Sequence, residues 1–107
     1  MIIAITELKL KSPFHWFPFI AKAIPSFNQA IASEGVLHHE TSSKGWRYQR
    51  TLTAWESEAH MRKFVVSGAH LNAMKSFSKL ANGSRYTHWV ADEVPSWEEA
   101  LSKLNQA

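Results

Sequence analysis

Residues 36–56, "VLHHETSSKGWRYQRTLTAWE", decide the fold. Two runs rich in β-branched and aromatic residues, 36–41 and 46–55, flank the turn-forming "SSKG", which is the pattern of a β-hairpin. Helical rhythm surrounds it. Upstream, Phe17, Ile20, Ala21, Ile24, Phe27 and Ile31 recur at steps of three and four, so one stripe of a helix is expected to be buried. Ser12-Pro13 introduces this segment, Pro18 is placed to open the main helix, Pro25 to bend it, and Gly35 to end it. Residues 2–10 before it read as a strand. Downstream, Ser57 caps a second helix with Glu58 in its first turn, where the helix dipole favours negative charge. Its apolar face of Met61, Phe64, Val65 and Gly68 changes phase at Ser67-Gly68 and resumes as Leu71, Met74, Phe77 and Ser78. Asn82-Gly83 ends that helix, residues 84–94 give a fourth strand, and Ser96 with Glu99 forms a capping box for a last helix.

The order predicts an α+β, ferredoxin-like βαββαβ sandwich over residues 1–107, a single domain with a C-terminal helix. Ile2 and Ala4 point opposite to Ile3 and Ile5, so both sheet faces need burial. With no second helical layer expected, the open face is assigned to sheet pairing in a homodimer, the alternative being a solvent-exposed, ligand-reading sheet. The 107 residues, 45 % of them hydrophobic and including five Trp and six Phe, supply a core for one such unit. The net charge of +3 comes from dispersed Lys and Arg, which does not indicate nucleic acid. Without cysteine there is neither disulfide nor thiolate metal site. The apolar start is broken by Glu7 and Lys9, unlike a signal peptide, and no run reaches membrane-spanning length, so a cytoplasmic protein is expected.

Chemistry-bearing motifs are few. "KGWRYQRT" (44–51) partly matches the third-strand motif of RNA-recognition domains, but the first strand has no ring for a base to stack on. His38 and His39 are adjacent on a strand, point to opposite faces and cannot chelate one ion, so no metal is expected. No nucleophile elbow or phosphate-binding glycine loop occurs.

"TAWESE" (53–58), Phe64, "SGAH" (67–70) and "PSWEEAL" (95–101), together with the element order of the whole chain, resemble the dimeric α/β-barrel superfamily. That superfamily includes antibiotic-biosynthesis monooxygenases and spheroidene-monooxygenase-like proteins. The resemblance implies a ligand site between helices and sheet, with Thr51, Thr53 and Trp55 facing it and Leu52 and Ala54 facing the partner subunit. It sets Thr6 near a catalytic asparagine of haem-degrading relatives, Phe64 at their ring-distorting tryptophan and Met74 at their iron-binding histidine. Since all three differ, the expected cofactor is none, with haem the lesser alternative.

A cofactor-free oxygenase needs an apolar pocket for an electron-rich phenol or enol and a base to ionise it. His70, set near a helix start by the Ser67-Gly68 break, is the expected base. Trp16, Trp55 and Phe64 would wall a small aromatic ligand, and His38, Tyr48 or Arg50 would steady developing negative charge. Ordinary core packing for the aromatics, and a structural role for His70, are the competing readings. A non-catalytic carrier of a small ligand or of haem is the alternative function on this scaffold.

Overall fold

The computed structural model describes residues 1–66 and 68–106, apart from the side chains of Ala69, His70, Leu71, Asn72 and Ser78. The chain runs β1 (Ile2–Leu10), α1 (Trp16–Ala32), β2 (Val36–Lys44), β3 (Tyr48–Trp55), α2 (Glu58–Val65), α3 (Gly68–Leu80), β4 (Ala81–Val90) and α4 (Trp97–Gln106). The four strands form one antiparallel sheet in the order β2-β3-β1-β4, which is the ferredoxin-like arrangement. Residues paired across an antiparallel ladder share a face, so the register sorts the side chains. Ala4, Thr6 and Leu8 look one way, with Thr53, Thr51 and Gln49 beside them; Ile3, Ile5 and Glu7 look the other way, beside Ala54, Leu52 and Arg50.

Helices α1, α2 and α3 cover the first face. Leu8 and Leu10 pack with Phe19 and Ala23 of α1 and Phe77 of α3, while Ala4 and Trp55 pack with Ala30 of α1 and Met61 and Phe64 of α2. Ser57 caps α2 through its hydroxyl, which accepts from the His60 amide at 3.3 Å. The expected break lies between α2, which ends at Val65, and α3, which starts at Gly68 with φ +54°; Ser67 itself is outside the described residues.

Two expectations about faces are corrected. The second face is not left open along its length: α4 lies across it, and Ala100 and Leu104 pack on Ile3, Ile5, Leu52 and Ala54. Leu52 and Ala54, expected to face a partner, are fully buried inside the chain. Along α1 the buried side chains are Phe19, Ala23, Ser26 and Ala30, whereas Phe17, Ile24 and Ile31 are exposed. Both sides of α1 are apolar, so steps of three and four can be drawn along either. Side-chain size decides between them, because the small residues let the helix lie close to the sheet.

Smaller differences concern boundaries. The hairpin turn falls at residues 45–47, where Gly45 has φ +62°, and β2 extends through the expected turn to Lys44. Asn82 and Gly83 lie inside β4, which starts directly after α3 and shifts register opposite Lys9 and Leu10. Among the described residues no helix is long and apolar enough to cross a membrane.

Candidate functional site

A cavity of about 360 Å³ lies between the first sheet face and α1–α3. Its floor is made of small residues, Ala4 and Thr6 from β1 and Thr51 and Thr53 from β3; Ala23, Ser26 and Ala30 of α1 form part of its roof. Short side chains on both sides of one interface leave volume that larger ones would fill. At ~24 cal/mol per Å³, a sealed void of this size would forfeit on the order of 9 kcal/mol, comparable with the whole stability of a small domain. The space is instead open to exchange: Val65, Met74 and Tyr86, all lining it, are 37 %, 41 % and 48 % exposed.

One end is aromatic. Trp55 is buried and stacks on Phe64, with ring centroids 5.2 Å apart and planes at 29°. The indole Nε1 of Trp55 donates to Thr53 Oγ1 at 2.9 Å, which fixes the ring edge and uses one lone pair of that hydroxyl. Phe19, Phe27 and Phe77 continue the apolar wall. No Asp, Glu, Lys or Arg occurs among the described lining residues.

Polar groups are concentrated on the strands. His39 sits opposite Thr53 on the cavity face, its ring 5.3 Å from that of Phe27. Its Nε2 is buried and has no hydrogen-bond partner among the described residues. Burial, and secondarily the neighbouring His38, lower the His39 pKa from its ordinary value, so a neutral ring is favoured, and in the Nδ1–H tautomer its Nε2 carries a lone pair. Tyr86 stands in the row of Thr6 and Thr51, and its hydroxyl lies 3.1 Å from His88 Nδ1 and donates to Met61 Sδ at 3.8 Å. Burial, then the charge of Glu58, raise the Tyr86 pKa and keep the phenol protonated.

Of the residues singled out from the sequence, Thr6, Thr53, Trp55, Phe64 and Met74 line this cavity. Trp16, His38 and Arg50 are not among its lining residues. Trp16 packs in the cluster of Leu8, Leu10 and Phe19. His38 points to the α4 side of the sheet, where Nε2 lies 2.6 Å from Glu40, whose other oxygen accepts from Trp97 Nε1 at 2.9 Å. Arg50 lies on that side too, its Nε donating to buried Glu7 at 2.7 Å. Tyr48, the other charge-steadying candidate, shares that face. His70 belongs to α3, but its side chain lies outside the described residues.

The sequence raises His39 only as half of a metal pair with His38, and Tyr86 not at all. Unbroken alternation from Val36 would send His38 to the cavity, but the β2–β3 register shifts between Val36 and His38, and one extra residue, Leu37, reverses the parity of everything after it. For Tyr86 the signal was its spacing of two from His88 on a strand, which carries no information about which face the pair takes.

Haem does not fit the described lining. Its propionates would meet no cation there, and Met74, at the position implied for an iron ligand, is partly in solvent. No group of three or more candidate metal-binding side chains occurs among the described residues.

The strand order, helical layer and open cavity define a ferredoxin-like α+β protein with a ligand-sized site between helices and sheet. The chain belongs to the family described as a domain of unknown function, DUF3291, which matches residues 15–107. No functionally curated protein matches it. Among solved structures it is similar to a candidate antibiotic biosynthesis monooxygenase from Nitrosomonas europaea, with TM-score 0.78 and 9 % identity over 87 % of this chain and all of that one. A corresponding candidate from Deinococcus radiodurans gives TM-score 0.77 and 15 % identity over 90 % and 97 % of the two chains. SnoaB, a cofactor-independent oxygenase from Streptomyces nogalater, gives 0.70 and 11 % over 89 % and 97 %. At these identities the likeness establishes the fold.

Proposed function

We propose that this chain is a monooxygenase-like enzyme that oxidises an electron-rich aromatic of the phenol, enol or quinol class in the cavity, with no resident cofactor. The observation that carries this reading is His39, an imidazole whose buried Nε2 has no partner among the described residues, in a site whose described lining holds no Asp, Glu, Lys or Arg. SnoaB shows that the scaffold is compatible with cofactor-independent oxygenation.

The chemistry follows from the lining. His39 Nε2 takes the acidic proton of a bound enol or phenol; along the same wall the Thr51 hydroxyl is a donor to the developing oxyanion, and the Tyr86 hydroxyl becomes one by turning from its weak bond to Met61 Sδ. The delocalised anion gives one electron to dioxygen; the resulting radical pair forms a carbon–oxygen bond, and the imidazolium returns its proton to the peroxide. Where that carbon began as CH₂, loss of water from the hydroperoxide leaves a carbonyl. The substrate loses two hydrogens and four electrons, and dioxygen supplies one atom to the product and one to water. With no Asp, Glu, Lys or Arg among its described lining residues the cavity favours a neutral substrate, whose binding displaces the water that would compete for these donors.

Oxygen uptake by the wild type with a panel of anthrones and quinols tests the proposal. Turnover is expected, with a fall of about 10²–10⁴-fold in His39→Gln, as general-base removal requires. Full uptake in His39→Gln together with its loss in His70→Ala would transfer the base to His70. Saturable binding without uptake for every substrate would make the protein a carrier. We propose in addition that two copies pair through the part of the second sheet face that α4 leaves uncovered, around Tyr48 and Lys9. Sedimentation at low micromolar concentration is expected to give a dimer, and a monomer throughout contradicts it.

A further inference from the structure

We infer that the outer face of α1 docks on an anionic lipid surface. The face presents large apolar side chains to water along its whole length, the kind of patch that marks an interaction surface. Phe17, Ile24 and Ile31, seven residues apart on one line of the helix, are 77 %, 50 % and 62 % exposed, and Phe14 in the 3-10 turn just before α1 is 88 % exposed. Pro18, Ala21 and Pro25 fill the rest of that side, which leaves Lys22 and Asn28 as the polar residues among the exposed positions of α1. The helix cannot span a bilayer, because its other side packs on the sheet. It can only lie flat.

Charge names the occupant. No Asp or Glu occurs between residues 8 and 33 or between 59 and 91. Exposed Lys11 and Lys22 flank the α1 face, and α3, packed beside α1, presents exposed Lys75 and Lys79 with no acid. Glu98 and Glu99 lie on α4, across the sheet. An apolar strip with aromatic rings at one end and lysines alongside is the pattern of a helix resting in a lipid interface. The nearest acid is exposed Glu34, just past the C-terminal end of α1, so the cations lie along the strip and its aromatic end, where an anionic surface would meet them. The inference does not depend on the proposed oxygenase activity.

Co-sedimentation of the full chain with phosphatidylcholine vesicles, with and without phosphatidylglycerol, tests it. Binding is expected to the anionic vesicles, weakened by added salt. It should fall at least about tenfold in Phe17→Ser/Ile24→Ser, since each loses the insertion of a large apolar side chain. Lys22→Glu should reduce binding without touching the apolar strip, and unchanged circular-dichroism melts verify that both variants fold. Equal binding to neutral and anionic vesicles, or undiminished binding by the double variant, overturns the inference. So does a lipid-free dimer that the double variant abolishes, because the occupant would then be a second copy.

Discussion

Protonation distinguishes the two sides of this sheet at the level of single residues. On the cavity side His39 is held neutral, by burial first and by His38 second. Its folded pKa lies below its unfolded one, so on acidification the unfolded chain takes up the proton first and stability declines between the ordinary histidine value and the lower folded one. An NMR titration of the ring is expected to show His39 resisting protonation beyond a free imidazole; an ordinary midpoint contradicts the burial. On the other side, burial raises the Glu7 pKa as the largest single influence, yet its bonds to Arg50 and Arg85 together outweigh that and leave it lowered. This contribution is present above the unfolded glutamate pKa and lost as pH falls through the folded one. Arg50→Leu strands a carboxylate that is only 5 % exposed, with half-exposed Arg85 as its remaining partner. The expected cost is about 3 kcal/mol by denaturant unfolding at neutral pH.

The elements show which features a sequence can carry. Strand and helix types, their order and the division of α2 from α3 before Gly68 follow from periodicity and caps, and they match the chain closely. Parity across β2 does not follow, because the extra residue at Leu37 is an exposed apolar side chain with no turn signature around it. That single insertion moved the cavity histidine from His38 to His39. The buried side of α1 was equally hidden, since a helix apolar all round has two valid stripes and only packing against the sheet chooses between them. Gly35, by contrast, is legible as a helix terminator and has a tertiary reason too. At φ +83° it faces the His60 imidazole, into which an added Cβ would intrude. Gly35→Ala is therefore expected to lose about 2 kcal/mol or more, from left-handed strain plus displacement of that ring. A thermal melt within one degree of wild type would contradict this.

For the molecule as a whole, α4 changes what the fold demands. Alternating apolar residues on β1 require two covered faces, and this chain supplies both covers itself, α1–α3 on one side and α4 on the other. Burial of Ile3 and Ile5 consequently needs no second subunit. Leu104→Ala opens a gap over Ile3 and Ile5 and is expected to cost about 3 kcal/mol. If a partner subunit covered those residues instead, the loss would depend on protein concentration, which unfolding at two concentrations resolves. The central claim is that the space between sheet and helices is where this protein meets its ligand. The most direct measurement is an amide and side-chain NMR titration with a neutral phenol. Saturable shifts at His39, Thr51, Thr53 and Tyr86, with none at Glu7, Arg50 or Lys44, are the predicted result. Shifts confined to the Glu7–Arg50 face, or none at His39 at saturation, would contradict it.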